Sequence, residues 1–591
     1  MSAQPSDYDL HFGPRPAILR WASAFLWKVE HAFERARAEG RAEDAKLRIF
    51  FVTVIFGLGF ISLGVGATRV ALFSEAAKSA DETIAMAQSA RADLTDRNGN
   101  LLAVDLPYYA LFVDSDEIWD KEETRRRLAP LLNITARARL DKALVAKKRM
   151  QIITPLSAEE KARIADMGLP GVSFEPEARR NYPLGDTAAH LVGFAGTGGV
   201  GRSGVELSLD KLIHSQAGRG SVALAMDLRI QAALEDEVKR AAIEHHARGG
   251  AVGLVTNIQT GEVLAMTSYP DFDPNVTAQT SLDSQLNHAA SSVYEMGSIF
   301  KVFSFSAGID SGKAHLNSTF DVSQPLQFGG QFIHDHDRIN GVLTLPEVFQ
   351  HSSNIGTAKM ALQIGGDTLT SYYRTFGLFQ AAPIELAESA KPFPRLLFQP
   401  SYRWPDVTVA TTSYGHGIMV SPLSVAASMG AIMNGGNYLP LTVLKADPGH
   451  PPKGRRIVSE QTSRTMLDLM RLNAVKGTGS KAEAEAPGLR VGGKTGTAEK
   501  VTNGHYDHTR QVSSFAAVFP TDGPLNGPRY FVLVLLDEPT GGVTTGGMVS
   551  APPAGRVINR IAPFLGVKRD PASAGPAPLD PQVEKLIAEE Q

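Results

Sequence analysis

Hydrophobic positions fall along the chain in three textures. The first is one block: Ile49 to Thr68 reads IFFVTVIFGLGFISLGVGAT, twenty residues without a charge. At 1.5 Å rise per residue such a helix is about 30 Å long, the thickness of a bilayer core. No other stretch of the sequence has this character. It predicts a membrane-spanning helix rather than a buried core helix or a cleaved signal peptide, whose apolar run is shorter and starts earlier. The second texture, up to residue 220, mixes short strand patterns, charged runs such as Lys121 to Arg127 and Gly-rich turns from Gly196 to Gly204, without a repeat. The third starts near Ser221, where AVGLVTN, a turn at Gln259 to Gly261, and VLAMTS form a hairpin pattern. A helical middle follows, clearest in SIFKVFSFSAGI (298–309) and LTLPEVFQHSSN (343–354). Three more strands, 489–501, 513–520 and 530–539, and a helix from about Ala554 to Leu565 close it. Two strands early and three late predict a mixed α/β domain whose single sheet is completed by distant parts of the chain, with antiparallel strands.

Charge adds an orientation. Arg35, Arg37, Arg41, Lys46 and Arg48 precede the apolar block closely, whereas only Arg69 and Lys78 follow it over a similar distance. The positive-inside rule places residues 1–48 in the cytoplasm and the remainder outside. After Lys568 the chain turns Pro- and Ala-rich, the pattern of a flexible tail. Across all 591 residues, 59 Lys and Arg against 62 Asp and Glu leave a net charge of -3, which argues against a nucleic-acid partner. With no cysteine, any covalent catalysis needs an oxygen or nitrogen nucleophile.

Candidate chemistry begins with Ser298 and Lys301, three apart on an apolar helix and therefore on one face. Burial disfavours the ammonium form of a lysine, so Lys301 can take the proton of the serine hydroxyl. A second Ser-x-x-Lys, Ser208 to Lys211, lies in a polar setting where the lysine stays solvated. Next comes His351-Ser352-Ser353-Asn354, where a hydroxyl and an amide two residues apart could relay a proton and bind a peptide carbonyl, or could simply cap a helix. The third element is Lys494-Thr495-Gly496-Thr497 after Gly492 and Gly493. Its glycines could bare a strand edge to an extended peptide, with lysine and threonines holding a terminal carboxylate, or could mark a bulge.

Three rival motifs are weaker. Gly488 to Thr495 matches the phosphate-binding loop pattern, yet strand-like residues continue through it where a helix is required. The Gly196 to Gly201 match to a dinucleotide fingerprint lacks a following βαβ pattern. His334, Asp335, His336 and Asp337 have no further spaced ligand and read as a solvated loop rather than a metal site. No Gly-x-Ser-x-Gly elbow occurs.

Ser-x-x-Lys, Ser-x-Asn and Lys-Thr-Gly, in that order on a mixed α/β domain, resemble the penicilloyl serine transferases. RADLTDRNGNLLA (91–103), ARRNYP (178–183), GVGRSGVE (199–206), MDLRIQ (226–231) and TGEVLAMTSYPDFDPN (260–275) are similar to landmarks of the class B penicillin-binding proteins. QHSSN, SYGHGIMVSPL (413–423) and KTGTAEKV resemble the septal, cell-division type more than the elongation type. The likeness covers roughly residues 49–567, departing at Ala92, usually Gly, and at Met296, usually Pro. No acidic glycosyltransferase signature precedes the second texture, which disfavours the bifunctional class A type.

The resemblance implies a membrane helix (49–68), an elongated non-catalytic pedestal (69–220), a transpeptidase domain (221–567) with a five-stranded, mainly antiparallel sheet, and a tail (568–591). It implies that Ser298, deprotonated by Lys301 with Ser352 relaying, attacks the penultimate D-Ala carbonyl of a peptidoglycan stem peptide. The amides of Ser298 and Thr497 would hold the oxyanion, Asn354 the peptide, and Lys494 with Thr495, on the strand that carries Gly496, the carboxylate. An amine from a neighbouring stem would then capture the acyl-enzyme, without cofactor or metal. It further implies the inner membrane as address, β-lactams as inhibitors, and a SEDS-type glycosyltransferase and other divisome membrane proteins as partners. An elongation-type transpeptidase, a carboxypeptidase and a catalytically silent division scaffold are the alternatives.

Overall fold

The computed structural model describes residues 28, 50–68, 91–196, 198–502 and 505–570. The remainder of the expected cytoplasmic segment with its flanking charges, residues 69–90 and the tail beyond Asp570 lie outside the described residues. Helix α1, Phe50–Thr68, is the one helix among them long and apolar enough to cross a membrane, and its large apolar side chains are exposed.

Residues 91–570 belong to a second compact unit. Its N-terminal part is built on strands β1 (Leu94–Thr95), β2 (Leu101–Asp114), β3 (Arg149–Leu156), β4 (Val172–Asn181) and β5 (Val222–Ala223). They form one sheet in the order β3-β2-β1-β5, with β4 also paired to β2. Helix α2 (Ile134–Val145) covers β2 and β3 with Leu140 and Leu144. Three of the sequence landmarks meet in one buried ion cluster, where Glu206 accepts from Arg91 Nε at 2.8 Å and from Arg180 Nε at 2.6 Å. Asp105 holds Arg180 at 3.1 Å and Asp210 holds Arg91 at 2.5 Å. Ala92 is buried beside this cluster, its carbonyl accepting from Arg180. Asp96 accepts from the amides of Asn98, Asn100 and Leu228, fastening RADLTDRNG to the start of helix α3 (Leu228–Glu244).

The C-terminal part is centred on strands β6 (Gly250–Asn257), β7 (Val263–Tyr269), β8 (Gly492–Thr502), β9 (His505–Phe519) and β10 (Tyr530–Asp537). Their order is β8-β9-β10-β6-β7, every pair antiparallel, so the early hairpin and the late strands do close one sheet. All eight residues of β10 are buried because both faces are covered, which is why this strand reads as a continuous apolar run. Val532, Val534 and Leu536 face α3 and the C-terminal helix α9 (Ala551–Ile561). Phe531, Leu533 and Leu535 face the larger core that contains helix α4 (Lys301–Asp310). Helices α5 (Leu345–Gln350), α6 (Asn354–Ile364), α7 (Pro422–Met433) and α8 (Glu460–Lys476) complete that side.

Boundaries differ from the sequence pattern where proline is involved. LTLPEVF begins as a strand, Val342–Thr344, and Thr344 with Glu347 forms a capping box that starts α5, Pro346 sitting in the first turn. Helix α9 starts at Ala551 rather than Ala554 because Pro552 and Pro553 occupy first-turn positions, where a missing N–H leaves no bond unmade. Residues 568–570, read as the start of a flexible tail, are tied down: Asp570 N donates to Gly488 O at 3.0 Å and Arg569 to Pro487 O at 2.8 Å.

Removing Glu206 would leave two buried guanidinium groups with one carboxylate each, Asp210 for Arg91 and Asp105 for Arg180. The Glu206→Ala variant is therefore expected to lose about 3–5 kcal/mol of stability, measured by thermal or denaturant unfolding of the region outside the membrane.

Candidate active site

Each functional side chain is set by a local rule of backbone geometry. Met296 adopts φ -84°, followed by Gly297 at φ +53° and a tight 3-10 turn over Gly297–Phe300 that runs into α4. A Cβ on Gly297 would lie 2.5 Å from the carbonyl oxygen of Thr497, so only glycine lets the turn press against β8. The turn half-buries Ser298 and directs Lys301, one helical turn on, into a fully buried position. Phe300, Phe303 and Phe305 are buried around it.

Between α5 and α6 the chain reverses at Ser352, which takes φ +57°. Ser353 caps α6, its hydroxyl accepting from Gly356 N at 2.9 Å. The turn is held by Asp335, whose carboxylate accepts from Ser353 Oγ at 2.7 Å and from the amides of Asn354 and Ile355. The capping role and the functional role are thus divided: Ser353 caps, leaving Ser352 and Asn354 free to face Lys301.

β8 is the edge strand of its sheet. Its glycines do not bare a surface, as the sequence pattern suggests, but receive the protein's own atoms. A Cβ on Gly493 would meet the Phe515 ring at 2.1 Å, and one on Gly496 would meet Met296 O at 2.3 Å. The close approach brings the Ser298 turn to the strand, and it is the strand's outer edge that stays available for an extended chain.

These segments converge. Lys301 Nζ lies 3.0 Å from Ser298 Oγ, 3.0 Å from Ser352 Oγ and 2.8 Å from Asn354 Oδ1, and also donates to the Ser352 carbonyl. Lys494 Nζ lies 2.8 Å from Ser352 Oγ and stands 5.9 Å from the centre of the Phe349 ring. One hydroxyl therefore bridges two amines. Burial pushes Lys301 well below the usual lysine range, and the neighbouring charge of Lys494 pushes it the same way. Burial alone brings Lys494 down to about 7. Two ammonium ions this close in a dry site repel, so the pair carries fewer than two protons near neutral pH.

A cleft of about 510 Å³ opens over this cluster, with Ser298, Ser352, Asn354, Thr495 and Thr497 on its wall. Lys301, Lys494 and Gly496 lie beneath it, all buried. Lys494, expected to touch a ligand directly, instead aims its amine at Ser352. Thr495 Oγ1 pairs with Thr478 Oγ1 at 2.7 Å, and Thr497 Oγ1 accepts from Gly546 N at 3.0 Å. All eight sequence-predicted site residues are thus in one place.

Thr478, His416 and Glu499 also line the cleft and were not singled out by the sequence, and Asp335, read there as part of a solvated loop, lines it too. Glu499 follows Thr495 and Thr497 at the period of a strand and could have been found that way. Of the HDHD run, His336 and Asp337 are exposed as a solvated loop should be, while Asp335 is half-buried and structural to the site. Ser208 of the second Ser-x-x-Lys accepts from Ala387 N, and Lys211 is exposed. No grouping of three or more metal-ligating side chains occurs among the described residues.

Comparison with known proteins agrees with this architecture. Residues 251–560 match the penicillin-binding protein transpeptidase domain, and residues 86–241 the penicillin-binding protein dimerisation domain. The chain is 51% identical to the probable peptidoglycan D,D-transpeptidase FtsI of Caulobacter vibrioides, over 94% of this chain and 95% of that one. It is 32% identical to the peptidoglycan D,D-transpeptidase FtsI of Escherichia coli, over 82% and 86% respectively. Penicillin-binding protein 3 of Mycobacterium tuberculosis, solved with aztreonam, superposes with a TM-score of 0.62 at 26% identity, covering 82% of this chain and 97% of that one. With this fold, these two domains and these relatives, the chain belongs to the class B penicillin-binding proteins.

Asp335 is the residue on which the Ser352–Asn354 turn hangs. Asp335→Ala is expected to speed hydrogen exchange at the Asn354 and Ile355 amides by about tenfold or more, read by mass spectrometry, since each loses its acceptor.

Proposed function

We propose that the chain is the cell-division peptidoglycan D,D-transpeptidase of its organism, acting through a serine acyl-enzyme. The reading is carried by one observation: the Lys301 amine within hydrogen-bond reach of both Ser298 and Ser352, with Lys494 on the far side of Ser352. Neutral Lys301 takes the proton of Ser298 as its oxygen attacks the penultimate D-Ala carbonyl. The amides of Ser298 and Thr497 receive the oxyanion, a role supported by the close packing of the Gly297 turn on the Thr497 backbone. The proton passes through Ser352 to the departing D-Ala nitrogen, and the C–N bond breaks. An acceptor amine attacks the acyl-enzyme, its proton returning along the same hydroxyl and amine, and the serine is restored. Asn354 binds the donor's backbone. Thr495, beside Thr478, meets the terminal carboxylate at the cleft wall, and Lys494 supplies field from beneath.

The same nucleophile would open a β-lactam ring and stay acylated. Helix α1 anchors the chain in the inner membrane with residues 1–48 in the cytoplasm, residues 69–220 form a pedestal, and 221–567 work in the periplasm on lipid-linked nascent strands. A SEDS-type glycosyltransferase and other divisome proteins are the partners this role requires. The relatives' names support the division role in particular.

Labelled benzylpenicillin is expected to mark wild type and leave Ser298→Ala unmarked; equal labelling of both would refute the assignment. Because Lys301 must be unprotonated to act as base and burial holds it well below the usual lysine range, the wild-type acylation rate is expected to stay level down through the pH range where an ordinary lysine is fully charged and to fall by up to tenfold per pH unit only once Lys301 itself gains its proton. Depletion of the protein in its own cells is expected to give filaments, scored by microscopy; rounded cells would assign it to elongation instead.

A further inference from the structure

Besides Asp335 and Asp337, the cleft wall carries Lys481 toward one end of β8 and Glu499 toward the other. Side chains alternate along β8, and Thr495, Thr497 and Glu499 all stand on the cleft wall. Pairing with β9 is regular as far as Glu499 opposite Gln511, and the strand bulges only beyond that point. At the Thr495 end the wall includes Thr478 and the exposed Lys481, the only lysine or arginine on it. At the other end stands the half-buried carboxylate of Glu499. Its partner is His508, whose Nδ1 lies 2.6 Å away and whose side chain is 83% exposed. Glu499 in turn raises the pKa of His508, while the lysine and arginine nearby are engaged elsewhere: Lys500 is held by Asp537 and Glu538, and Arg510 by Glu538.

Glu499 lies four residue steps along the strand from Thr495, about 13 Å at roughly 3.3 Å per residue. In a peptide extended along this edge with its terminal carboxylate at Thr495, the residue before D-Ala-D-Ala has its Cα about 7 Å away. That leaves about 6 Å along the strand to Glu499, and because side chains project across the strand axis, a diamino-acid side chain of roughly 6 Å brings a free ammonium to the carboxylate only when it and the Glu499 side chain lean toward one another. We propose that Glu499 is a specificity-determining residue that holds this ammonium, so the enzyme selects donor stems whose third residue is a diamino acid with an unblocked amine. The inference rests on the transpeptidase reading above. Together with Lys481 it also fixes the direction in which the donor lies along β8.

The test compares acyl-enzyme formation by full-length protein from two depsipeptides, Nα-acetyl-L-lysyl-D-alanyl-D-lactate and its Nε-acetylated form. A charge-assisted contact at a half-exposed site is expected to give wild type about a fivefold preference for the free amine. The preference should fall to about one in Glu499→Gln and invert in Glu499→Lys. An unchanged ratio in Glu499→Gln overturns the proposal. If that variant does not fold, His508→Ala decides, because it removes the competing partner at an exposed position: a ratio above wild type supports the role, and one at or below it does not. Benzylpenicillin, whose side chain is uncharged, separates the two claims. Failure to acylate wild type removes the transpeptidase reading itself, whereas normal acylation with a charge-blind ratio removes only the role of Glu499.

Discussion

A hydroxyl held between two buried lysine amines is the constraint around which the catalytic half is arranged. Ser352 Oγ touches both Lys301 and Lys494, and neither amine reaches the cleft surface. Water would let both stay charged; the protein denies it by burying both side chains completely, Lys494 with its amine 5.9 Å from the centre of the Phe349 ring. Burying such groups opposes folding, and the large two-sided core of the sheet offsets it. The result is a pair of buried amines pushed toward their neutral forms around one hydroxyl.

Holding that geometry takes parts of the chain that are far apart in sequence. The 297–300 turn, the 352–354 turn and β8 come together because small residues remove the atoms that would keep them apart. A side chain on Gly297 would run into the Thr497 backbone, and one on Gly496 into the Met296 carbonyl oxygen. Asp335, from a loop of its own, then fixes the one turn that has no sheet to rest on.

Much of this was legible in the sequence, and the parts that were not share a cause. Ser298 and Lys301 follow helix periodicity, and the five strands of the sheet follow the run of apolar residues, so both could be read locally. Ser352 and Asn354 were recognisable as a pair, but whether they cap or catalyse depended on Ser353, which does the capping. Lys494 was found, yet its direction was not, because a strand pattern does not say which face is covered by another helix. Asp335 was passed over as part of a charged loop: its neighbours His336 and Asp337 are solvated, and nothing in four residues distinguishes the one that turns inward. The glycines of β8 were seen as an opening toward a ligand when they are an opening toward the chain itself, a difference that only tertiary packing decides.

The strand order has a consequence in time. β6 pairs with β10, so Ala251 lies opposite Leu536 and the sheet cannot close until almost the whole chain is present. Contacts of such long sequence separation form slowly, because a very long loop must be closed before its partners gain anything from meeting. A chain still being synthesised therefore lacks β8, and with it Lys494, until synthesis is nearly over. The cluster of Ser298, Lys301, Ser352 and Lys494 stays incomplete until then.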